Sequence, residues 1–205
     1  MKRLVFIAML AAAAAPLFAQ APKGWKMRVD RSTSASDPDA PGDIKFVTSG
    51  SGFVATNPAA AVYWNPANAA SGAYTLKGSF TLLKPSSHAN YYGLTFGGSN
   101  LDGGQQSYQY FVVAQNGTWL IKKRDGEGTS NVVGRTPNEA VKKPGADGKS
   151  VNALEVRVAG DKVDYVVNGT VVHSEPKAGA KVDGIYGIRI NHQLDVQIDG
   201  FGVSK

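Results

Sequence analysis

Residues Asn152 to Val172 read NALEVRVAGDKVDYVVNGTVV, and this stretch decides the fold. Asn152, Leu154, Val156 and Val158 alternate with Ala153, Glu155 and Arg157, the period of two that puts successive side chains on opposite faces of a strand. Gly160-Asp161 turns that strand into a second one carrying Val163, Tyr165 and Val167. Asn168-Gly169 then turns it into a third, Thr170 to His173. An Asn-Gly pair between two β-rich runs predicts a type I′ hairpin, because both central residues of that turn need positive φ.

The same grammar extends in both directions. Upstream, Tyr74, Leu76, Gly78, Phe80 and Leu82 share one face, with Thr75, Lys77, Ser79 and Thr81 on the other. Tyr92, Leu94 and Phe96 alternate with Gly93, Thr95 and Gly97. Tyr108 to Ala114 and Thr118 to Lys122 flank a second Asn-Gly pair, Asn116-Gly117, which predicts another type I′ hairpin. Downstream come Tyr186, Ile188 and Ile190, then Leu194, Val196 and Ile198, then Phe201 and Val203. Toward the N-terminus, Trp25 to Val29, Ile44 to Val47, Gly52 to Ala55 and Ala61 to Trp64 read as shorter strands, the last closed by Asn65-Pro66. Two polar segments, residues 30–43 and 134–149, read as loops, with one helical turn expected at Asn138 to Lys142. About a dozen short strands with one apolar face each predict an all-β, two-sheet antiparallel sandwich or a closed sheet. Leu94, Phe96, Phe111, Leu154, Val156, Tyr165, Ile188 and Val196 are the expected shared core.

The beginning of the chain has a different character. Lys2 and Arg3 precede an unbroken apolar run from Leu4 to Ala15, followed by small residues near position 20. These are the parts of a secretory signal, and the run is too short to cross a bilayer, which needs roughly 20 residues. Cleavage after Ala19 is favoured, since cleavage after Ala21 would leave proline first. Residues 1–19 are therefore read as a signal peptide and 20–205 as one β-sandwich domain working outside the cytoplasm, in the periplasm or beyond. Removing Lys2 and Arg3 from the 22 basic residues leaves 20 against 16 acidic ones, a net charge of +4. The basic residues are scattered, Lys122-Lys123-Arg124 being the one run of three. That pattern favours solubility and gives no nucleic-acid footprint. The chain has no cysteine, so its stability rests on the core without disulfides.

Three longer stretches carry a family resemblance. They are YYGLTFGGSNLDGGQQSYQYFVVAQNGTWLIKKRDGEG from Tyr91, the hairpin region from Asn152, and VDGIYGIRINHQLDVQIDGFGV from Val182. The order of N-x-L-x-V-x-x-x-G, V-N-G, G-x-x-G-I-R and D-V-x-I-D-x-F-x-V resembles the concanavalin A-like lectin/glucanase superfamily, and within it the laminin G-like and 3-keto-disaccharide-hydrolase-type exported domains. Asn152, Leu154, Val156, Gly160, Asn168, Gly169, Gly187, Ile188, Asp195, Asp199 and Phe201 carry the match, which covers Tyr74 to Val203. The resemblance implies a jelly roll whose concave face often binds carbohydrate. The matched positions are mainly turn and core residues, so they speak for fold more than for activity.

Chemistry is harder to find. Glycoside hydrolysis normally needs two carboxylates flanking one bond. The E-x-D-x-x-E string of the superfamily's retaining glucanases is absent, Glu155 stands alone in its strand, and Asp195 and Asp199 would lie about 13 Å apart along a strand. His88, His173 and His192 are too dispersed for a zinc motif, although His192 falls in a turn between late strands where binding residues gather. Calcium could draw on Asp37, Asp39 and Asp43 in one loop, or Asn100 and Asp102 in another, but neither loop has the D-x-[DN]-x-[DN]-G pattern. Turn formation accounts for these residues, and no cofactor is expected. A saccharide partner fits the strand faces better. Thr95, Gln109 and Arg189 are expected on one glycine-containing sheet face, with Trp64, Tyr91 and His192 at its rim, as a platform for a neutral sugar. The alternatives are a glycoside-processing hydrolase of the 3-keto-disaccharide type and a structural or adhesive envelope domain that binds protein.

Overall fold

The computed structural model describes residues 21–205; the signal-peptide reading falls on residues outside that range. Fourteen strands follow one another: β1 Lys26–Asp30, β2 Lys45–Ser49, β3 Gly52–Asn57, β4 Ala60–Ala70, β5 Tyr74–Lys84, β6 Tyr91–Ser99, β7 Ser107–Ala114, β8 Thr118–Asp125, β9 Gly128–Pro137, β10 Ser150–Ala159, β11 Lys162–Val167, β12 Thr170–Pro176, β13 Gly184–Ile190 and β14 Leu194–Ser204. They form two antiparallel sheets of seven strands. The first has the order β1-β4-β13-β6-β7-β8-β9, and the second β12-β11-β10-β5-β14-β3-β2. This is the sandwich that the alternation left open beside a closed sheet, and the two-sheet jelly roll that the resemblance implies.

The core lies between the sheets. The first sheet contributes Tyr63, Tyr92, Leu94, Phe96, Phe111, Trp119, Ile121 and Ile188, and the second Leu76, Phe80, Leu82, Leu154, Val156, Tyr165 and Val196. All eight residues expected to share a core do so. Aromatic rings bridge the layers: Phe46 stacks on Tyr63 at 4.2 Å, and Tyr165 meets Phe111 edge-on at 5.3 Å. Two polar side chains, Asn57 and Asn152, are buried among them. Asn152 donates to Tyr92 Oη and to the Lys142 carbonyl and accepts from Lys142 N–H and Asn168 Nδ2, so every hydrogen-bonding position of its amide is occupied. This network fixes the 138–142 turn to the end of the β10–β11 hairpin, and explains why asparagine stands in the N-x-L-x-V stretch.

Several local expectations need correction. Strand β4 does not stop at Asn65-Pro66. It runs to Ala70, because the ladder with β13 shifts register between Ile185 and Gly187, and the bulge there accommodates Pro66, which has no N–H to donate. Residues 134–137 belong to β9, an exposed edge strand whose burial does not alternate, so no period marks it in the sequence. Asn138 to Val141 is a turn and not a helical one. Asp30 closes β1 rather than opening the following loop. Asn168 and Gly169 have φ of 49° and 83°, as a type I′ turn requires. In the other hairpin only Gly117 is left-handed, and Asn116 Oδ1 accepts the Thr118 N–H, giving a three-residue loop with a type I turn.

Gly97 is a position where only glycine fits. Its φ is +61°, and a Cβ there would sit 1.9 Å from the Lys181 carbonyl oxygen. Gln109 Nε2 donates to the same carbonyl, so the Lys181 backbone cannot retreat without breaking that bond. Gly97→Ala should therefore lower the melting temperature by more than the about 1–2 kcal/mol of left-handed strain alone would explain. A melting curve matching the parent's would show that the 177–183 segment yields freely.

Candidate functional site

The outer face of the first sheet is built by alternation in strands whose inner residues fill the core. Ladder registers line up Lys26, Trp64, Gly187, Thr95, Tyr110 and Lys122 in one row across β1, β4, β13, β6, β7 and β8. The adjacent row is Arg28, Val62, Arg189, Gly93, Val112 and Leu120. Val62, Trp64, Tyr91, Leu101, Tyr108, Tyr110, Val112, Ala114 and Leu120 form a second apolar cluster on this side.

The face is deeply cupped. Asp30 lies on β1 and Arg124 on β8, five strand spacings apart, about 24 Å in a flat sheet. Their carboxylate and guanidinium are 2.9 Å apart. Asp30 also hydrogen-bonds Arg189 and has Arg28 Nε at 3.8 Å. Arg189 in turn donates to Tyr108 Oη at 3.1 Å and lies over the Tyr110 ring at 5.2 Å. One buried carboxylate thus gathers three guanidinium groups. Burial pushes the Asp30 carboxyl upward, but the charges and hydrogen bonds of Arg189, and after it Arg124, outweigh burial and hold it below the ordinary value.

Lys122 reports the field of the same cup. Burial lowers its pKa first, and the like charges of Arg189, Arg124 and Arg135 lower it further. Arg135 lies over the Tyr91 ring at 5.4 Å, at the edge of the same face. Among the described residues Lys122 has no acidic partner. The outer acids Asp102 and Glu127 pair with Lys26 and Arg28.

Of the residues singled out in the sequence, Trp64, Tyr91, Thr95 and Arg189 lie on this face. Trp64 and Thr95 are buried in its floor, and Tyr91 donates to or accepts from Thr118 Oγ1 at 2.8 Å. Gln109 is a correction: it pairs with Phe96 and Lys123 and so faces the inner side, where it holds the Lys181 carbonyl. The period-2 rule places it there, since Tyr108 and Tyr110 occupy the outer face. His192 lies beyond the end of β13, beside Asn191, whose Oδ1 accepts from Arg189 Nε. There it meets His88, with ring centroids 5.5 Å apart, so two of the three histidines that look dispersed in the sequence are neighbours. Residues of the cup that the sequence reading missed are Asp30, assigned to a loop, and Lys122 and Arg124, counted only in the basic run that favours solubility. The alternation of Leu120, Lys122 and Arg124 was the available signal.

The remaining acids of the strands do not enter the cup. Glu155 pairs with Arg157 at 2.7 Å, and Asp199 accepts from Gln197 at 2.9 Å, both on the second sheet.

No family model and no curated protein matches the chain. Solved structures do. A carbohydrate-binding module, CBM66 from Bacillus subtilis, superposes with a TM-score of 0.60 at 13% identity, covering 89% of this chain and 96% of the other. The laminarinase catalytic domain from Thermotoga maritima gives 0.55 at 11% identity over 87% and 90%. Alginate lyase A1-II′ gives 0.51 at 16% identity over 88% and 94%. Binding modules, hydrolases and lyases share this architecture, so the likeness establishes the fold and leaves activity to the site: the chain is a two-sheet jelly-roll sandwich.

Proposed function

We propose that the cupped face of the first sheet binds a saccharide, and that the saccharide carries carboxylate or sulfate groups. The observation that carries this reading is Lys122, set among Arg124, Arg135 and Arg189 without an acid of its own. A cluster of cations around one already committed carboxylate attracts a further anion. Tyr108, Tyr110 and Tyr91 supply ring faces and hydroxyls beside it, which suits the C–H faces and rim of a pyranose. The charge departs from the neutral ligand expected from the sequence, because the expectation placed one arginine on this face and the cup gathers four along with Lys122. The signal-like N-terminus agrees with work in the periplasm or outside the cell, where such glycans are met.

A hydrolase reading finds less support. Asp30 is held ionised by its arginines and is poorly suited to deliver a proton, and a retaining or inverting mechanism wants two carboxylates across one bond.

A glycan array that includes polyuronates, sulfated glycans and their neutral counterparts tests the proposal, with an activity screen on whatever binds. Binding is expected on the anionic members and should weaken as salt is raised. Lys122→Ala removes a side chain with no hydrogen-bond or ion-pair partner among the described residues and should lower affinity by about 1–3 kcal/mol while the melting temperature holds. Retention of neutral glycans alone, or unchanged affinity in that variant, would overturn the reading. A protein partner in place of any glycan would favour an adhesive envelope role.

A further inference from the structure

Just beyond the end of β13, three side chains from distant parts of the chain aim one ligand atom each at a common point. Asp37 Oδ1 lies 2.7 Å from His88 Nε2 and 3.0 Å from His192 Nε2, and the two nitrogens are 3.3 Å apart. The geometry points to a binding site for a first-row divalent cation of the zinc type, formed by Asp37, His88 and His192.

The spacing matches a shared ion. Metal bonds of about 2.0–2.1 Å place two ligand atoms roughly 2.9 Å apart in an octahedron and 3.4 Å apart in a tetrahedron. The three observed edges span that range or fall just below it. Without an ion the arrangement is unsatisfactory. Asp37 Oδ1 is buried and has no aligned hydrogen-bond donor despite its two close nitrogens. The two imidazole nitrogens also face one another, so at most one can carry a proton toward the other. A cation at the centre takes one lone pair from each.

The surroundings are those of a ligand set and not of a surface ion pair. His192 is 6% exposed, and its other ring nitrogen, Nδ1, meets Asp39 Oδ1 at 3.1 Å. Asp39 is itself oriented by the Ser32 N–H at 3.1 Å. A carboxylate on the far nitrogen fixes the tautomer that leaves Nε2 free to bind metal. On the other ring, Ser87 Oγ is 3.3 Å from His88 Nδ1. Asn90 Nδ2 binds the His192 carbonyl at 2.9 Å and approaches His88 Nε2 at 3.1 Å; the second contact is the one an ion would displace. Asp37 and His88 keep 44% and 41% of their side-chain surface open, which leaves a path for entry and open coordination positions for water or ligand. Two imidazoles and one carboxylate suit zinc, cobalt, nickel or iron(II); calcium prefers six to eight oxygens. The acidic 37–43 loop, weighed for calcium in the sequence and read there as turn-forming, here lends Asp37 and Asp39 to a histidine site.

This inference stands apart from the saccharide reading, and its test uses no glycan. Chelator-treated full chain is dialysed against Zn2+, and bound metal, melting temperature and the visible spectrum of the Co2+ form are measured. One equivalent of zinc, a raised melting temperature and ligand-field bands of low-coordinate cobalt are expected. His88→Ala and His192→Ala should each weaken binding at least tenfold. Because His192 is buried, the half-exposed His88 gives the variant that keeps the fold. Asp39→Asn should weaken binding about 10–100-fold through the ring it orients. His173→Ala should leave zinc binding unchanged, since that histidine packs near Trp119 and Tyr165 and is not part of the ligand set. Absence of stoichiometric zinc, calcium binding as tightly as zinc, or zinc binding equal in the parent and His88→Ala would each overturn the assignment.

Discussion

Replacing Asp30 with alanine should destabilise the protein by about 3–5 kcal/mol, the usual cost of removing one partner from a buried ion network. The side chain of Asp30 is 10% exposed, and those of Arg124 and Arg189 are 12% each. Without the carboxylate the two guanidinium groups would face each other, with Arg28 close by, in a half-desolvated cup. They would also release β1 from β8, so the curvature of the sheet depends on the same residue. Urea unfolding at neutral pH measures the loss, and a change under 1 kcal/mol would show that water or rearranged acids take over. The pH dependence has a definite sign. The folded-state pKa of Asp30 lies below its ordinary value of about 3.9, so its contribution is present above that value and disappears as pH falls through the lower folded-state value. The parent should lose stability below about pH 4, and Asp30→Asn should show a shallower acid limb.

Phe111→Ala should cost about 3–5 kcal/mol, as large truncations at filled core sites do. Phe111 is fully buried on the middle of the first sheet and meets Trp119 at 6.0 Å and Tyr165 at 5.3 Å. Tyr165 belongs to the second sheet, so this ring joins the two layers directly. The loss should appear in the denaturation midpoint with little change in slope, since the variant unfolds the same surface. An unchanged midpoint would mean that neighbouring rings close the cavity, or that the two layers contribute less to one another's stability than their packing suggests.

How much of this was legible beforehand depended on how local the information was. Leu154, Val156 and Tyr165 could be placed in the core because alternation is read within a single strand, and a strand's own residues decide which face is apolar. Strand β9 was missed because an edge strand exposed on both sides has no reason to alternate. Asn65-Pro66 looked like a terminator because the pairing with β13 that resumes beyond the bulge, at Ala69 opposite Ile185, is not visible in the β4 sequence. Gln109 was assigned to the wrong face by composition: it is a polar residue at an inner position, held there by the Lys181 carbonyl of a distant segment.

The sequence by itself determined an all-β sandwich, its main hairpins and the membership of its core, since period, turn residues and apolar faces act over a few positions. Only the tertiary structure decided the sites. Asp30 and Arg189 are 159 positions apart, and His88 and His192 are 104 apart. The strand order β1-β4-β13-β6-β7-β8-β9 and the cupping of that sheet bring Asp30 to Arg124 and Arg189, while the β5–β6 and β13–β14 connections meet at one end of the sandwich. No spacing along the chain encodes such meetings, because strand order depends on how the whole core closes and not on any segment's own pattern.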